Sequence, residues 1–117
     1  MNRINNWLKE FKTHWENHNI TNILNLFDKN VIYYETPFYK LDNFEQLSKE
    51  WQYILKQKNI NLDYEIFSKD NNKYTVIWDL KYLDNKNTKQ HFKGTYLIKL
   101  NDENLCTYFH HSCESKN

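Results

Sequence analysis

The sequence predicts an α+β fold: a curved antiparallel sheet wrapped around three helices from the N-terminal half, in the order ααβαββββ. Three observations predict it. Apolar residues recur with a helical period up to about residue 56 and with a period of two from residue 59 onward. Short polar turns join the four late strands, which makes them a meander. The sole glycine, Gly94, falls inside one of those strands, where glycine marks a bulge or bend.

The first helix is read over residues 4–17. Ile4, Trp7, Leu8, Phe11 and Trp15 form its buried stripe, with Asn5, Lys9, Lys12 and Glu16 opposite. Asn17-His18-Asn19 interrupts it, and Asn19 is the expected N-cap of a second helix with Ile20, Ile23, Leu24 and Phe27 inward. Asp28-Lys29-Asn30 closes that helix and leads into Val31–Phe38, V-I-Y-Y-E-T-P-F. Pro37, the only proline, has no N–H for a sheet ladder and pushes Thr36 toward an extended conformation. The strand should therefore stop near Glu35, with Phe38 swinging across its end.

Asp42-Asn43-Phe44-Glu45 is a capping signature for a third helix running to about Lys56, with Phe44, Leu47, Trp51, Ile54 and Leu55 inward. Four strands follow. Their inward residues are Ile60, Leu62, Tyr64 and Ile66; Tyr74, Val76, Trp78, Leu80 and Tyr82; then Phe92, Tyr96, Ile98 and Leu100; the last strand is Leu105–Ser112. The alternation places Thr75, Ile77, Asp79 and Lys81 on the outer face, with Ile77 near Phe67 of a neighbouring strand, a candidate dimer surface.

A chain of 117 residues is long enough for one domain, 1–117, that buries roughly 60–70% of its unfolded surface. Four Trp, nine Tyr and seven Phe make 17% of it aromatic, which points to a core or a cavity walled by rings. Sixteen basic and fifteen acidic residues are interspersed for a net charge of +1, so no basic stripe speaks for nucleic acid. Met1–Phe11 lacks the apolar run of a signal peptide, and no window approaches a membrane span. Cys106 and Cys113 are an odd number of residues apart, which puts them on opposite faces if one strand contains both, and they are read as reduced thiols of a cytoplasmic protein. One glycine cannot build a phosphate loop, a nucleophile elbow or a dinucleotide fingerprint.

Several pieces, in their order and spacing, carry a resemblance. They are Leu26-Phe27, then Asn30-Val31-Ile32-Tyr33-Tyr34-Glu35 with Pro37-Phe38, Trp51 at the end of the third helix, and Val76-Ile77-Trp78 in the meander. Gly94-Thr95-Tyr96-Leu97 before Leu100-Asn101-Asp102, and Cys106-Thr107-Tyr108-Phe109 in the last strand, complete the set. Together they resemble the SnoaL-like branch of the nuclear transport factor 2-like (NTF2-like) superfamily over nearly the whole chain. The chain departs from that pattern at His110-His111-Ser112-Cys113, where a charged, Trp-rich ending is common, and lacks the family glycine before the third helix. The resemblance implies a cone-shaped roll with a cavity at its open end, often homodimeric. Its members include isomerases, dehydratases, polyketide cyclases, hydrolases and non-catalytic binding modules, so the fold does not choose the function.

The rings expected to line one volume are Trp15, Phe38, Trp51, Tyr64, Trp78, Phe92 and Tyr96, with Phe109 inward on the last strand. Close-packed, they are core; around a void, they make a small-molecule pocket. Glu35 is the candidate acid or base, with Tyr34 or His111 as partner; the alternative is a carboxylate turned to solvent or capping backbone amides. Parity with an inward Phe109 turns His111 inward and His110 outward. His14 and His18 sit one helical turn apart, half of a metal site with no third ligand, so neither a metal nor a cofactor is expected. Three functions remain open: binding of a small apolar or aromatic molecule, cofactor-free acid–base catalysis, and an interaction module using the outer sheet face. A homodimer through that face is the expected assembly.

Overall fold

A computed structural model describes residues 3–116. Helices α1 (Arg3–Glu16) and α2 (Ile20–Leu24) precede strand β1 (Phe27–Thr36), the two-residue strand β2 (Tyr39–Lys40) and helix α3 (Phe44–Trp51). A 3-10 segment, Gln52–Lys56, leads to β3 (Lys58–Asp70), β4 (Lys73–Leu83), β5 (Lys89–Leu100) and β6 (Cys106–Ser115). The sheet runs β2-β1-β6-β5-β4-β3; β1 pairs parallel with β6, and every other neighbour is antiparallel. It is curved and unclosed, and its concave side holds the helices.

The stripe of α1 is buried as its period requires, and its rings form the centre of the core. Trp7 stacks on Phe11 with centroids 5.0 Å apart. Phe11 then meets the edges of Trp51 at 5.4 Å and Tyr96 at 5.9 Å, which joins α1 to α3 and to the sheet. The polar side of α1 also works: Lys12 Nζ donates to the Leu62 carbonyl, and Glu16 Oε2 accepts from the Leu62 N–H at 2.9 Å, holding the edge strand β3. Asn19 and Asn43 cap α2 and α3, accepting from Asn22 N–H at 3.2 Å and Gln46 N–H at 2.9 Å. With one glycine in the chain, asparagine takes the left-handed positions of the late turns: φ is 57° at Asn71, 63° at Asn87 and 62° at Asn104.

Five local expectations need correction. Phe27 belongs to β1 and not to the second helix, because its backbone pairs with Cys106 while its ring enters the core. The first strand does stop before Pro37, at Thr36, but Pro37-Phe38 form the tip of a hairpin to β2, a sixth strand that the periodicity did not announce. The third α-helix ends at Trp51; the tighter 3-10 turn buries Trp51 and Ile54 and leaves Leu55 58% exposed, outside the inward set. Gly94 is no bulge, since β4–β5 pairing runs through it without a shift. Glycine is required there by close approach: a Cβ would meet the Ser112 carbonyl oxygen and lie 2.7 Å from the Trp78 ring. The last correction concerns the cysteines. The register shifts between Lys99 and Leu100, opposite the stretch after Cys106, and this resets the parity of β6. Cys106 is therefore buried in the core, while Cys113 lies on the concave side too, and both are free.

Candidate functional site

The core is full around α1 but hollow toward the C-terminal ends of β1 and β6. There a cavity of ≈ 310 Å³ opens, lined from α1, α3 and the 3-10 segment on one side and from β1, β4, β5 and β6 on the other. Trp15, Trp51, Trp78, Phe92, Tyr96 and Phe109, all singled out in the sequence, lie in its wall. Trp78 stacks on two neighbouring rings, its centroid 5.1 Å from Tyr96 and 5.3 Å from His111, both near-parallel to it. Trp15 Nε1 donates to Gln57 Oε1 at 2.8 Å, which ties α1 to the end of the 3-10 segment at the cavity rim.

Two expected rings are elsewhere. Phe38 is fully exposed, because the hairpin tip that carries it points away from the sheet instead of folding over its end. Tyr64 packs against the core beside Trp78, its β4 partner, and is not part of the cavity wall.

Alternation along β1 decides the polar set. Tyr33 and Glu35 face the cavity, and Tyr34 faces the other side of the sheet, with its ring 5.2 Å from His110 and 6.2 Å from Tyr108. Glu35 and Tyr34 therefore cannot act in one pocket. Glu35 and His111 do meet. His111 Nδ1 lies 2.8 Å from the Glu35 backbone oxygen and 3.9 Å from its Oε1. A carbonyl only accepts, so Nδ1 carries the proton and the neutral ring keeps Nε2 as its acceptor.

Burial pushes the Glu35 carboxyl up to about 7, helped by the nearby Glu50 carboxylate. His111 moves the other way: burial lowers its pKa, the Glu35 carbonyl partly opposes that, and His110 adds a little repulsion. Near neutrality the site thus holds a carboxyl that can give a proton beside an imidazole that can take one. Tyr33 and Tyr96 are held well above their ordinary range by burial, with Glu35 adding to the effect on each. Burial likewise raises the Cys106 and Cys113 thiols, so neither is a ready nucleophile. His18 Nε2 is bonded to the Gln57 carbonyl at 2.6 Å, and His14 lies 4.0 Å from Glu10 Oε1.

Sequence reasoning passed over Tyr33, Glu50, Gln57 and Cys113 as cavity residues. Tyr33 could have been found, because it shares parity with Glu35. Cys113 could have been found too, because it shares parity with Phe109 and His111, whereas Glu50 was hidden by its place on an otherwise polar helix flank.

No family model matches the chain, and no curated protein matches it. Solved structures do. An NTF2-like protein of unknown function from Exiguobacterium sp. 255-15 superposes with a TM-score of 0.76 at 10% identity, over 92% of this chain and 98% of its own. The Δ5-3-ketosteroid isomerase of Mycobacterium sp. gives 0.80 at 10% identity, over 97% and 98%. A Mycobacterium tuberculosis protein in complex with estradiol-17beta-hemisuccinate gives 0.75 at 12% identity, over 90% and 88%. With helices first, a curved open sheet after them, and superpositions that span nine-tenths of the chain or more, this protein has the NTF2-like fold.

Proposed function

We propose that the protein binds a small, largely apolar or aromatic molecule in the ring-walled cavity. The observation that carries this reading is the void itself: a chain with so many rings leaves ≈ 310 Å³ unfilled between Trp51, Trp78 and Phe92. Such a volume lies at the lower end of small-molecule sites, which are apolar with a few convergent polar groups. Two proteins of the same fold, one named for a steroid reaction and one holding a steroid derivative, give the reading a parallel. Titration of tryptophan fluorescence with a panel of one- to four-ring apolar compounds tests it. Saturable one-to-one binding with a rise in melting temperature is expected. No saturable binding by any member, up to its solubility, removes the proposal.

The Glu35–His111 pair favours a second reading, cofactor-free proton transfer. His111 Nε2 takes a proton from a bound molecule, and the Glu35 carboxyl returns one to another atom of it, so the charge on the ligand is unchanged overall. Glu35→Gln separates this reading from binding alone, because the amide has no acidic proton while the cavity keeps its shape.

The assembly we propose is a homodimer through the outer sheet face. Ile77 and Leu97 stand there 42% and 40% exposed, with Phe67 at 67% on β3. Apolar side chains gathered on one open face mark an interaction surface. Sedimentation velocity is expected to show a dimer that Ile77→Lys converts to monomer; a wild-type monomer at micromolar concentration overturns it. Free thiols suit a reducing compartment, and a cytoplasmic location belongs to the same proposal.

A further inference from the structure

The charge of the cavity is unbalanced. Glu35 and Glu50 both line it, and among the described residues no lysine or arginine does. Lys56 Nζ sits 5.9 Å from the centroid of the Tyr53 ring but is not itself in the wall. His111 does not supply the missing cation either, since burial keeps it neutral and its Nδ1–H is committed to the Glu35 carbonyl. The other titratable groups in the wall are Tyr53 on the 3-10 segment, Tyr33 on the strand of Glu35, Tyr82 on β4, Tyr96 on β5 and Cys113 on β6. Burial holds the proton on Tyr33, Tyr82, Tyr96 and Cys113.

The remaining wall is mostly aromatic side chains, a residue class whose π-faces attract cations. An anionic ligand would add a third negative charge to this setting. A neutral hydrocarbon would leave a carboxyl buried beneath it with no partner. An organic cation satisfies both parts of the wall at once: carboxylates at one place and rings around the rest.

We propose that the cavity is a site for an organic cation, with a protonated or quaternary amine nitrogen beside Glu35 and Glu50 and an aryl or hydrocarbon body among Trp51, Trp78, Tyr82 and Phe92. The inference rests on the small-molecule reading above and narrows it. The raised carboxyl of Glu35 then has a role: the empty site stays neutralised by a proton, and the arriving cation displaces it. Binding of a cation and release of that proton are linked, so affinity for a permanent cation rises as pH climbs through about 7.

The test uses two probes of one shape, neither of which titrates. [4-(Hydroxymethyl)phenyl]trimethylammonium carries the charge, and 4-tert-butylbenzyl alcohol is its neutral counterpart. Calorimetric titration at pH 8 is expected to show the cation binding about tenfold tighter than the alcohol, the scale of a desolvated cation–π and carboxylate contact. Between pH 5.5 and 8 the affinity for the cation should rise by roughly tenfold, while that for the alcohol does not rise. Glu35→Gln should remove this rise, and a single cooperative thermal transition reports that the variant is folded. The wild-type pH profile needs no variant and stands if Glu35→Gln fails to fold. Equal or tighter binding of the alcohol, or a cation affinity flat with pH, overturns the cation site but leaves small-molecule binding in place. Binding of neither probe overturns the cation site, and failure of the wider ring panel as well overturns both.

Discussion

Trp7→Ala is expected to lower the unfolding free energy by about 3–5 kcal/mol, seen as a drop in the urea midpoint at unchanged slope. Trp7 is wholly buried, stacked on Phe11 and set edge-on to Phe27 at 5.5 Å, with Phe109 at 6.3 Å. Removing the indole leaves a void closed on every side by α1 and the sheet, and the rings around it are held by one another. They cannot collapse into the gap without giving up their own contacts. The indole Nε1–H also donates to the Leu26 carbonyl at 2.9 Å, an oxygen that accepts from the Cys106 N–H at 2.8 Å as well. The variant loses the bond that pins α1 where β1 begins beside β6. The same change at Trp15 should cost less, because that side chain borders a cavity that already holds space. A loss at Trp7 near 1 kcal/mol, the ordinary effect of a point change, would mean that the core is far more yielding than its ring contacts imply.

Why the large features were legible, and the small ones not, follows from the range of the forces involved. Period is a property of many residues together, so the stripe of α1 and the alternation of β4 came through intact: Tyr74, Val76, Trp78 and Leu80 are buried, and Ile77 and Lys81 are exposed. Boundaries depend on single contacts. Phe27 reads as one more apolar residue of a helix until a strand 79 positions later offers its backbone a partner. Phe38 reads as a lid until the chain reverses at Pro37 and pairs Tyr39 with Thr36. The parity of β6 was reliable from Phe109 to His111 and failed at Cys106, because one irregularity inverts every inference drawn across it. The site was half legible for the same reason. Residues on regular strands, such as Trp78 and Tyr96, follow from alternation, whereas Glu50 enters the wall through the way α3 packs across the sheet, which leaves no mark in the sequence around it.

At pH 8 Glu35→Gln should be more stable than the parent protein by about 2 kcal/mol, and at pH 4 the two should be alike. The carboxyl has a pKa of 4.5 in an unfolded chain and about 7 in the fold, so between those values the folded protein binds more protons than the unfolded one. Stability is therefore full below pH 4.5 and falls as pH rises toward 7, the reverse of the usual carboxylate. Taken in full the shift amounts to about 3 kcal/mol, and water reaching a side chain that is 33% exposed reduces this to about 2. Glutamine has the same shape and no charge to desolvate, so the substitution removes the penalty without emptying the site. Denaturation of both proteins at a series of pH values reads the difference directly. A constant offset from pH 4 to pH 8 would show that the carboxylate ionises in the fold as it does in water, and the polar end of the cavity would then be a wet surface groove. The expected sign also bears on function. An ionisable group that weakens the fold above neutrality, where glutamine would serve the structure better, is of the kind that clusters at functional sites. If proton transfer is that chemistry, Glu35→Gln gains stability and loses exchange of the α-protons of a bound ketone in deuterated water. If binding alone is the role, the stability gain stands by itself.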